Sequence, residues 1–138
     1  MELNKTLQQG ISALKEGKLE EAERLYCEVL QAHPTHPHAN HNLGITLYTL
    51  GRLKEAEESF KKALALKPDY VEAHNNLGSA LKGLGKLNEA EESFKKALAL
   101  NPYYKPALLN RGQILFEKRE FELSLKDFDT CNSANSRF

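Results

Sequence analysis

The chain lacks most of the features that indicate membrane insertion or binding to polyanions. It has no tryptophan, two cysteines in 138 residues, and 19 Lys+Arg against 19 Asp+Glu, so its formal charge is zero. Without a cluster of basic residues, the sequence predicts neither a nucleic-acid partner nor attraction to an anionic membrane. No apolar run approaches the roughly 18 residues of a membrane span, and the N-terminus lacks the apolar core of a secretory signal. We therefore expect a cytoplasmic protein.

The sequence also lacks the motifs of catalysis and of cofactor binding. It contains no nucleophile elbow, phosphate-binding loop, dinucleotide fingerprint or zinc-protease helix. Cys27 and Cys131 lie 104 positions apart without metal-ligand spacing. Cys131 occupies a small-residue position and is expected to be buried, whereas Cys27 is expected to be accessible. We predict that the chain is not an enzyme and has no cofactor.

Four of the five histidines are concentrated in one short stretch: His33, His36, His38 and His41. His38 and His41 are spaced by about one helical turn, and imidazoles so spaced could bind a transition metal. The alternative is a polar loop followed by ordinary surface side chains. Because no Cys, Asp or Glu is interleaved, we favour the alternative and predict no metal site.

An internal repeat organises the whole chain. The segment from Glu55 to Leu66 recurs unchanged from Glu89 to Leu100, and residues 37–70 and 71–104 are identical at 22 of 34 positions. Glycines and aromatic rings keep the same register: Gly10, Gly44, Gly78 and Gly112, and Tyr26, Phe60, Phe94 and Phe128. The period predicts four repeats in one continuous domain, at 3–36, 37–70, 71–104 and 105–138, with the outer two degenerate.

Each repeat is predicted to form two antiparallel helices. Apolar or small residues recur at i, i+3, i+4 and i+7 in residues 37–50 and again in 53–66. Gly51 and Gly85 are expected to end the first helix of their repeats. A proline follows each of the first three second helices, at Pro34, Pro68 and Pro102. These signals predict an all-α fold.

The repeated residues resemble the tetratricopeptide repeat family. The family pattern has counterparts in Leu43, Gly44, Leu47, Ala56, Phe60 and Pro68, and again in Leu77, Gly78, Leu81, Ala90, Phe94 and Pro102. The resemblance implies a right-handed superhelical solenoid of four 34-residue helix-turn-helix repeats. It also implies a protein-binding scaffold whose concave face, lined by the first helix of each repeat, takes an extended peptide or a partner protein.

The side of each first helix opposite its packing stripe is predicted to contact this partner. Equivalent positions there hold Asn42, Asn76 and Asn110, with Gln8 in the first repeat. An amide side chain can donate to a peptide carbonyl and accept from a peptide N–H, so it can bind a backbone of any sequence. The other candidates on this face are His38, His41, Ile45, Glu72, Asn75, Ser79 and Gln113.

The three asparagines look like the asparagine ladder in the repeat domain of O-linked N-acetylglucosamine transferases. The Asn-Leu-Gly triplet of that domain occurs here at residues 42–44 and 76–78. The alternative is that a recent duplication copied a polar residue that helices tolerate. Asn110, in a divergent repeat, is the better support for a ladder. A carboxylate clamp for chaperone C-termini is disfavoured, because it needs Lys and Arg where the chain has His41, Ile45, Glu72 and Pro106.

The last predicted helix carries apolar side chains where the inner repeats are polar. Phe121, Leu123 and Leu125 form this patch, and Leu123 and Leu125 replace Glu89 and Glu91. Terminal repeats usually need a polar outer face for solubility. We therefore expect either a longer protein, in which the array presents substrate to a downstream catalytic domain, or self-association into a homo-oligomer through this end.

Overall fold

The computed structural model describes residues 2–118 and 126–132, and all regular structure in these ranges is helical. The helices are α1 (Glu2–Lys15), α2 (Leu19–Ala32), α3 (Pro37–Thr49), α4 (Leu53–Leu66), α5 (Val71–Gly83), α6 (Leu87–Leu100) and α7 (Lys105–Glu117), and residues 126–132 are also helical. The starts of α2, α4 and α6 are separated by the 34-residue period of the sequence. No helix in the described part is both long and apolar enough to cross a bilayer.

The chain divides into two compact units, one ending at Ala73 and one beginning at His74. In the first unit α1 packs on α2, α2 on α3, and α3 on α4. The core between α1 and α2 contains Ala13, Ala22, Leu25 and Tyr26, and Leu43 of α3 packs against it. Phe60 of α4 is fully buried, which contributes roughly 2–3 kcal/mol relative to an exposed ring.

In the second unit α6 packs on α7, and Phe94, Ile114 and Leu115 are almost completely buried. Arg111 of α7 stands where the inner repeats have leucine. Its Nε atom lies 3.5 Å from Oδ2 of Asp127, which is itself buried. The pairing offsets only part of the cost of burying these charges, because neither atom has a hydrogen-bond partner in the described residues and burial raises the pKa of Asp127.

A glycine in each first helix faces an aromatic ring of the following helix. An alanine Cβ at Gly44 would lie 2.5 Å from Cε1 of Phe60, and one at Gly78 would lie 2.5 Å from Cε1 of Phe94. Gly10 meets Tyr26 in the same way, at 3.1 Å. The missing side chain therefore lets the two helices of a repeat approach closely. This contact is the reason for the shared register of glycines and rings.

The helix ends agree with the sequence signals. Gly51 and Gly85, just after α3 and α5, have φ of 82° and 80°, and Gly17 after α1 has φ of 78°. Such left-handed values are strained for residues that carry a Cβ atom. The glycines therefore end the first helices for a conformational reason, as the sequence predicts for Gly51 and Gly85.

Replacing Gly51 with alanine is expected to lower the free energy of unfolding by about 1 kcal/mol. An added Cβ would meet nothing within 4 Å, so the cost is purely conformational. Chemical denaturation monitored by circular dichroism measures it. Gly51→Asn is the matched control, because asparagine tolerates a positive φ better and should cost less. Equal losses for alanine and asparagine would contradict this explanation.

Candidate peptide-binding face

The structure places the predicted face residues at very different depths. In the first unit Gln8, His38 and Glu72 are exposed, and Asn42 and Ile45 are half-buried. In the second unit Gln113 is exposed, and Asn76, Ser79 and Asn110 are half-buried. These nine side chains remain candidates for contact with a partner.

Two predicted face residues, His41 and Asn75, are instead buried, with exposed fractions of 5% each. Their side chains bond to neighbouring protein groups, His41 to Tyr70 and Asn75 to Asn110. Contact of these two residues with a partner stays a prediction, and their low exposure makes them supports of the face in this structure.

In the second unit two polar contacts join α5 to α7. Asn110 Nδ2 donates to Asn75 Oδ1 at 3.1 Å, and Lys82 Nζ donates to Gln113 Oε1 at 2.7 Å. The first contact joins the N-terminal halves of the helices and the second joins their C-terminal halves. The two helices therefore run side by side in the same direction. Asn110 retains its carbonyl oxygen and one N–H for another partner.

In the first unit Asn42 lies beside a buried hydroxyl. Burial raises the pKa of the Tyr26 hydroxyl, and the approach of the Asn42 side chain opposes that rise. The approach falls short of full hydrogen-bond geometry, since the Tyr26 oxygen has no hydrogen-bond partner in the described part of the chain. Asn42 thus faces the protein on one side and solvent on the other.

The histidine-rich stretch is organised around the hydroxyl of Tyr70. The oxygen lies 2.8 Å from Nδ1 of His38 and 2.9 Å from Nδ1 of His41. Because a hydroxyl has one proton, it can donate to at most one of the two imidazoles, and the other must donate its own N–H to the oxygen. Burial lowers the pKa of His41 to about 4, against a raising effect from Glu72. The ring of His41 is therefore neutral at neutral pH.

His36 has a separate structural role at the start of α3. Its Nδ1 atom accepts a hydrogen bond from the backbone N–H of Ala39 at 3.1 Å, and Pro37 occupies the first turn. Burial is the main cause that lowers the pKa of His36, and the nearby His38 and His33 add to it. Within residues 2–118 and 126–132, no three His, Cys, Asp or Glu side chains are grouped so that they could hold a metal ion. His36 is used for capping, and His38 and His41 for the Tyr70 contacts.

Sequence reasoning missed three residues of this region: Tyr70, Lys82 and Phe116. Lys82 lies four positions after Gly78, and Phe116 lies four positions after Gly112. Tyr48 has the same spacing from Gly44 in α3. Phe116 and Tyr48 are 55% and 41% exposed. Lys82 and Phe116 would have been found if the predicted face had included this position of each first helix. Tyr70 has no such signal, because its role depends on a hydrogen bond across the fold.

The remaining predictions concern the cysteines and the apolar C-terminal patch. Cys131 is buried and Cys27 is exposed, as expected. Partial burial, with a smaller effect of Glu23, raises the pKa of the Cys27 thiol, which disfavours the reactive thiolate. Phe121, Leu123 and Leu125 lie outside the described residues.

Comparison with known proteins gives a consistent family. A family model of the tetratricopeptide repeat matches residues 2–69 and 39–102, and another tetratricopeptide repeat model matches residues 75–130. No curated protein matches the chain. The all-α prediction of a tetratricopeptide solenoid is confirmed by these matches and by the solved structures below.

Three solved structures illustrate the similarity. A crystal structure of MamA has a TM-score of 0.92 and 19% identity over 98% of this chain and 79% of that chain. The first TPR of Spaghetti (RPAP3), bound to the HSP90 peptide SRMEEVD, has a TM-score of 0.82 and 26% identity, covering 85% and 93%. The second TPR domain of human RPAP3, in complex with the HSP70 peptide SGPTIEEVD, has a TM-score of 0.76 and 30% identity, covering 79% and 91%.

Proposed function

The chain belongs to the tetratricopeptide repeat family, and we propose that it is a non-catalytic scaffold that binds an extended peptide or a partner protein. The observation that carries this proposal is that two similar structures, at 26% and 30% identity, hold peptides. The family and these neighbours are interaction modules rather than enzymes. A cytoplasmic location is part of the same proposal.

The proposed contacts are the exposed and half-buried side chains on the first helices. Asn42, Asn76 and Asn110 would hydrogen-bond the backbone of the ligand, as in the asparagine ladder that the sequence resembles. The Asn75 contact supports this assignment for Asn110, because it fixes the amide while one acceptor and one donor remain. In a longer protein such an array would position substrate for a catalytic domain. Self-association through Phe121, Leu123 and Leu125 stays a prediction.

Replacing Asn42, Asn76 and Asn110 together with alanine is expected to weaken peptide binding about a hundredfold, since each lost hydrogen bond contributes roughly 1 kcal/mol. The measurement is fluorescence anisotropy with a peptide selected from a random array on the unmodified chain. Circular dichroism checks that the variant is folded.

The matched control replaces three exposed asparagines outside the first helices, Asn88, Asn101 and Asn132, with alanine. It should leave the affinity within about twofold, because these side chains lie outside the first helices; Asn88 and Asn101 bond instead to Lys118 and to the backbone N–H of Tyr103. Equal losses in the two triple variants would contradict the ladder. Failure of every arrayed peptide to bind would contradict the proposed function itself.

A further inference from the structure

A cavity of about 430 Å³ opens in the second unit beside the Lys82 contact. Its lining residues come from α5, α7 and the 126–132 helix: Lys82, Gln113, Phe116, Glu117 and Phe128. Gln113 is one of the predicted face residues, so the cavity continues the candidate face toward the C-terminal ends of α5 and α7. Its volume suits one or two side chains of a peptide.

Lys82 brings a positive charge that forms no ion pair within the described residues. Its ammonium donates to the neutral amide of Gln113 at 2.7 Å. Other cations pair with carboxylates, such as Lys118 with Glu91 at 2.7 Å and Arg52 with Glu55 at 2.7 Å. Glu117 also lines the cavity, yet Lys82 forms no ion pair with it or with any other carboxylate in the described ranges. Two ammonium N–H groups remain available to an anion.

Two aromatic rings also line the cavity. Phe116 is 55% exposed, the largest exposure of any large apolar side chain in the described part. Phe128 is half-buried and rests its ring against Gly112, where an added Cβ would lie 3.0 Å from Cζ. Together the two rings form a surface against which an apolar side chain of a ligand can be buried.

From this juxtaposition of Lys82 with Phe116 we infer that the second unit recognises a peptide segment in which an acidic residue adjoins an apolar one. The carboxylate contacts Lys82 and the apolar side chain packs on Phe116 and Phe128. The inference rests on the proposed function and adds a ligand class to it. It assigns selectivity to the α5–α7 cavity and leaves general backbone binding to the asparagines.

The test is an NMR titration of the ¹⁵N-labelled chain with three seven-residue peptides on a Gly-Ser background, carrying Glu-Phe, Gln-Phe or Glu-Ser at the centre. We expect the Glu-Phe peptide to shift the amides around Lys82, Gln113 and Phe116. It should bind about two- to fivefold more tightly than the Gln-Phe peptide, the range for an exposed ion pair. The difference should disappear at high salt, which screens exposed charges.

Two variants assign the preference to the cavity. Lys82→Gln should bind the Glu-Phe and Gln-Phe peptides equally, and Phe116→Ser should weaken both about tenfold by removing the aromatic contact. Lys96→Gln is the matched control, because it removes an exposed lysine of α6 in the same unit and should retain the preference.

The inference is overturned by equal affinity for the Glu-Phe and Gln-Phe peptides, or by a Lys82→Gln variant that keeps the acid preference. If the amide chemical shifts change only around Asn42, Asn76 and Asn110 and not around Lys82, the inference is overturned and the proposed function stands. Absence of binding by these three peptides, when an array-selected peptide does bind, would overturn the inference alone. Absence of binding by every peptide would overturn both.

Discussion

Replacing Gly44 with alanine is expected to be among the most damaging small substitutions in the first unit, lowering the free energy of unfolding by about 2 kcal/mol. The added Cβ would lie 2.5 Å from Cε1 and 2.6 Å from Cδ1 of Phe60. Phe60 is fully buried in α4, so its ring cannot swing into solvent. Either the ring or the α3–α4 spacing must change.

The magnitude follows from two opposing effects. Alanine in a helix is favoured over glycine by about 1 kcal/mol, because glycine loses more backbone entropy on folding. Overpacking a well-filled core costs about 3 kcal/mol at the upper end of its usual range, and the 2.5 Å contact justifies that end. The steric cost therefore exceeds the gain in helix propensity. Urea denaturation of the variant and of the unmodified chain measures the difference.

Gly10→Ala is the graded control, because its Cβ would lie 3.1 Å from the Tyr26 ring and requires only a small shift. Its loss should be well below that of Gly44→Ala. A double variant, Gly44→Ala with Phe60→Leu, should be less destabilised than the sum of its single variants, since the smaller side chain relieves the overlap. Additive losses, or a stabilised Gly44→Ala, would show that the contact does not limit the helix spacing.

These glycine and ring positions show what the sequence could predict well. The shared register of Gly44 and Phe60 with Gly78 and Phe94 is visible without coordinates. Helix period, glycine stops and prolines are local signals, so they located the helical hairpins and the fold class. The same residue pattern occurs in successive repeats, so the helix assignment does not depend on the weak signal of one segment.

The candidate face was harder to predict, because side-chain depth depends on neighbours that a single helix does not contain. A helix wheel places Asn76 on the predicted face and Asn75 at its edge, yet Asn75 is 5% exposed and accepts from Asn110, 35 positions away. A helix wheel also cannot show whether the charge of Lys82 is paired with a carboxylate. Its importance appears only when the amide of Gln113, and not a carboxylate, is found beside it.

The histidine-rich stretch shows the same limit and leads to a different role. The spacing of the histidines left two alternatives, a metal site and a polar loop. The structure joins His38 and His41 through the hydroxyl of Tyr70. Tyr70 precedes α5, so these bonds tie the loop after α4 back to α3. Lys67 Nζ also lies over the Tyr70 ring, 4.7 Å from its centroid. The stretch is therefore a structural junction whose protonation should affect stability.

Mild acid is expected to destabilise the first unit through His41. The pKa of this imidazole is lowered from 6.5 to about 4, chiefly by burial, while in the unfolded chain it takes up a proton near 6.5. Between these values the unfolded state binds more protons, so stability rises with pH. The contribution is fully present above pH 6.5 and is lost as the pH falls toward about 4.

The expected loss between pH 7 and pH 4.5 is on the order of 2 kcal/mol from His41. His36, whose pKa is also lowered, adds a loss of the same sign. The measurements are urea denaturation at stepped pH values and an NMR titration of the histidine ring protons, in which the pKa of His41 should lie well below the 6.5 of an unperturbed imidazole.

His41→Gln is the decisive variant, because glutamine can still bond the Tyr70 hydroxyl and does not titrate. At pH 7 it should be less stable than the unmodified chain, since it loses the ring packing of His41 against Phe60 and Tyr70, whose centroids lie 5.7 Å and 4.5 Å away. Its stability should then change much less down to pH 4.5. If the variant and the unmodified chain lose stability in parallel, the acid sensitivity arises elsewhere and the Tyr70 junction is not its source.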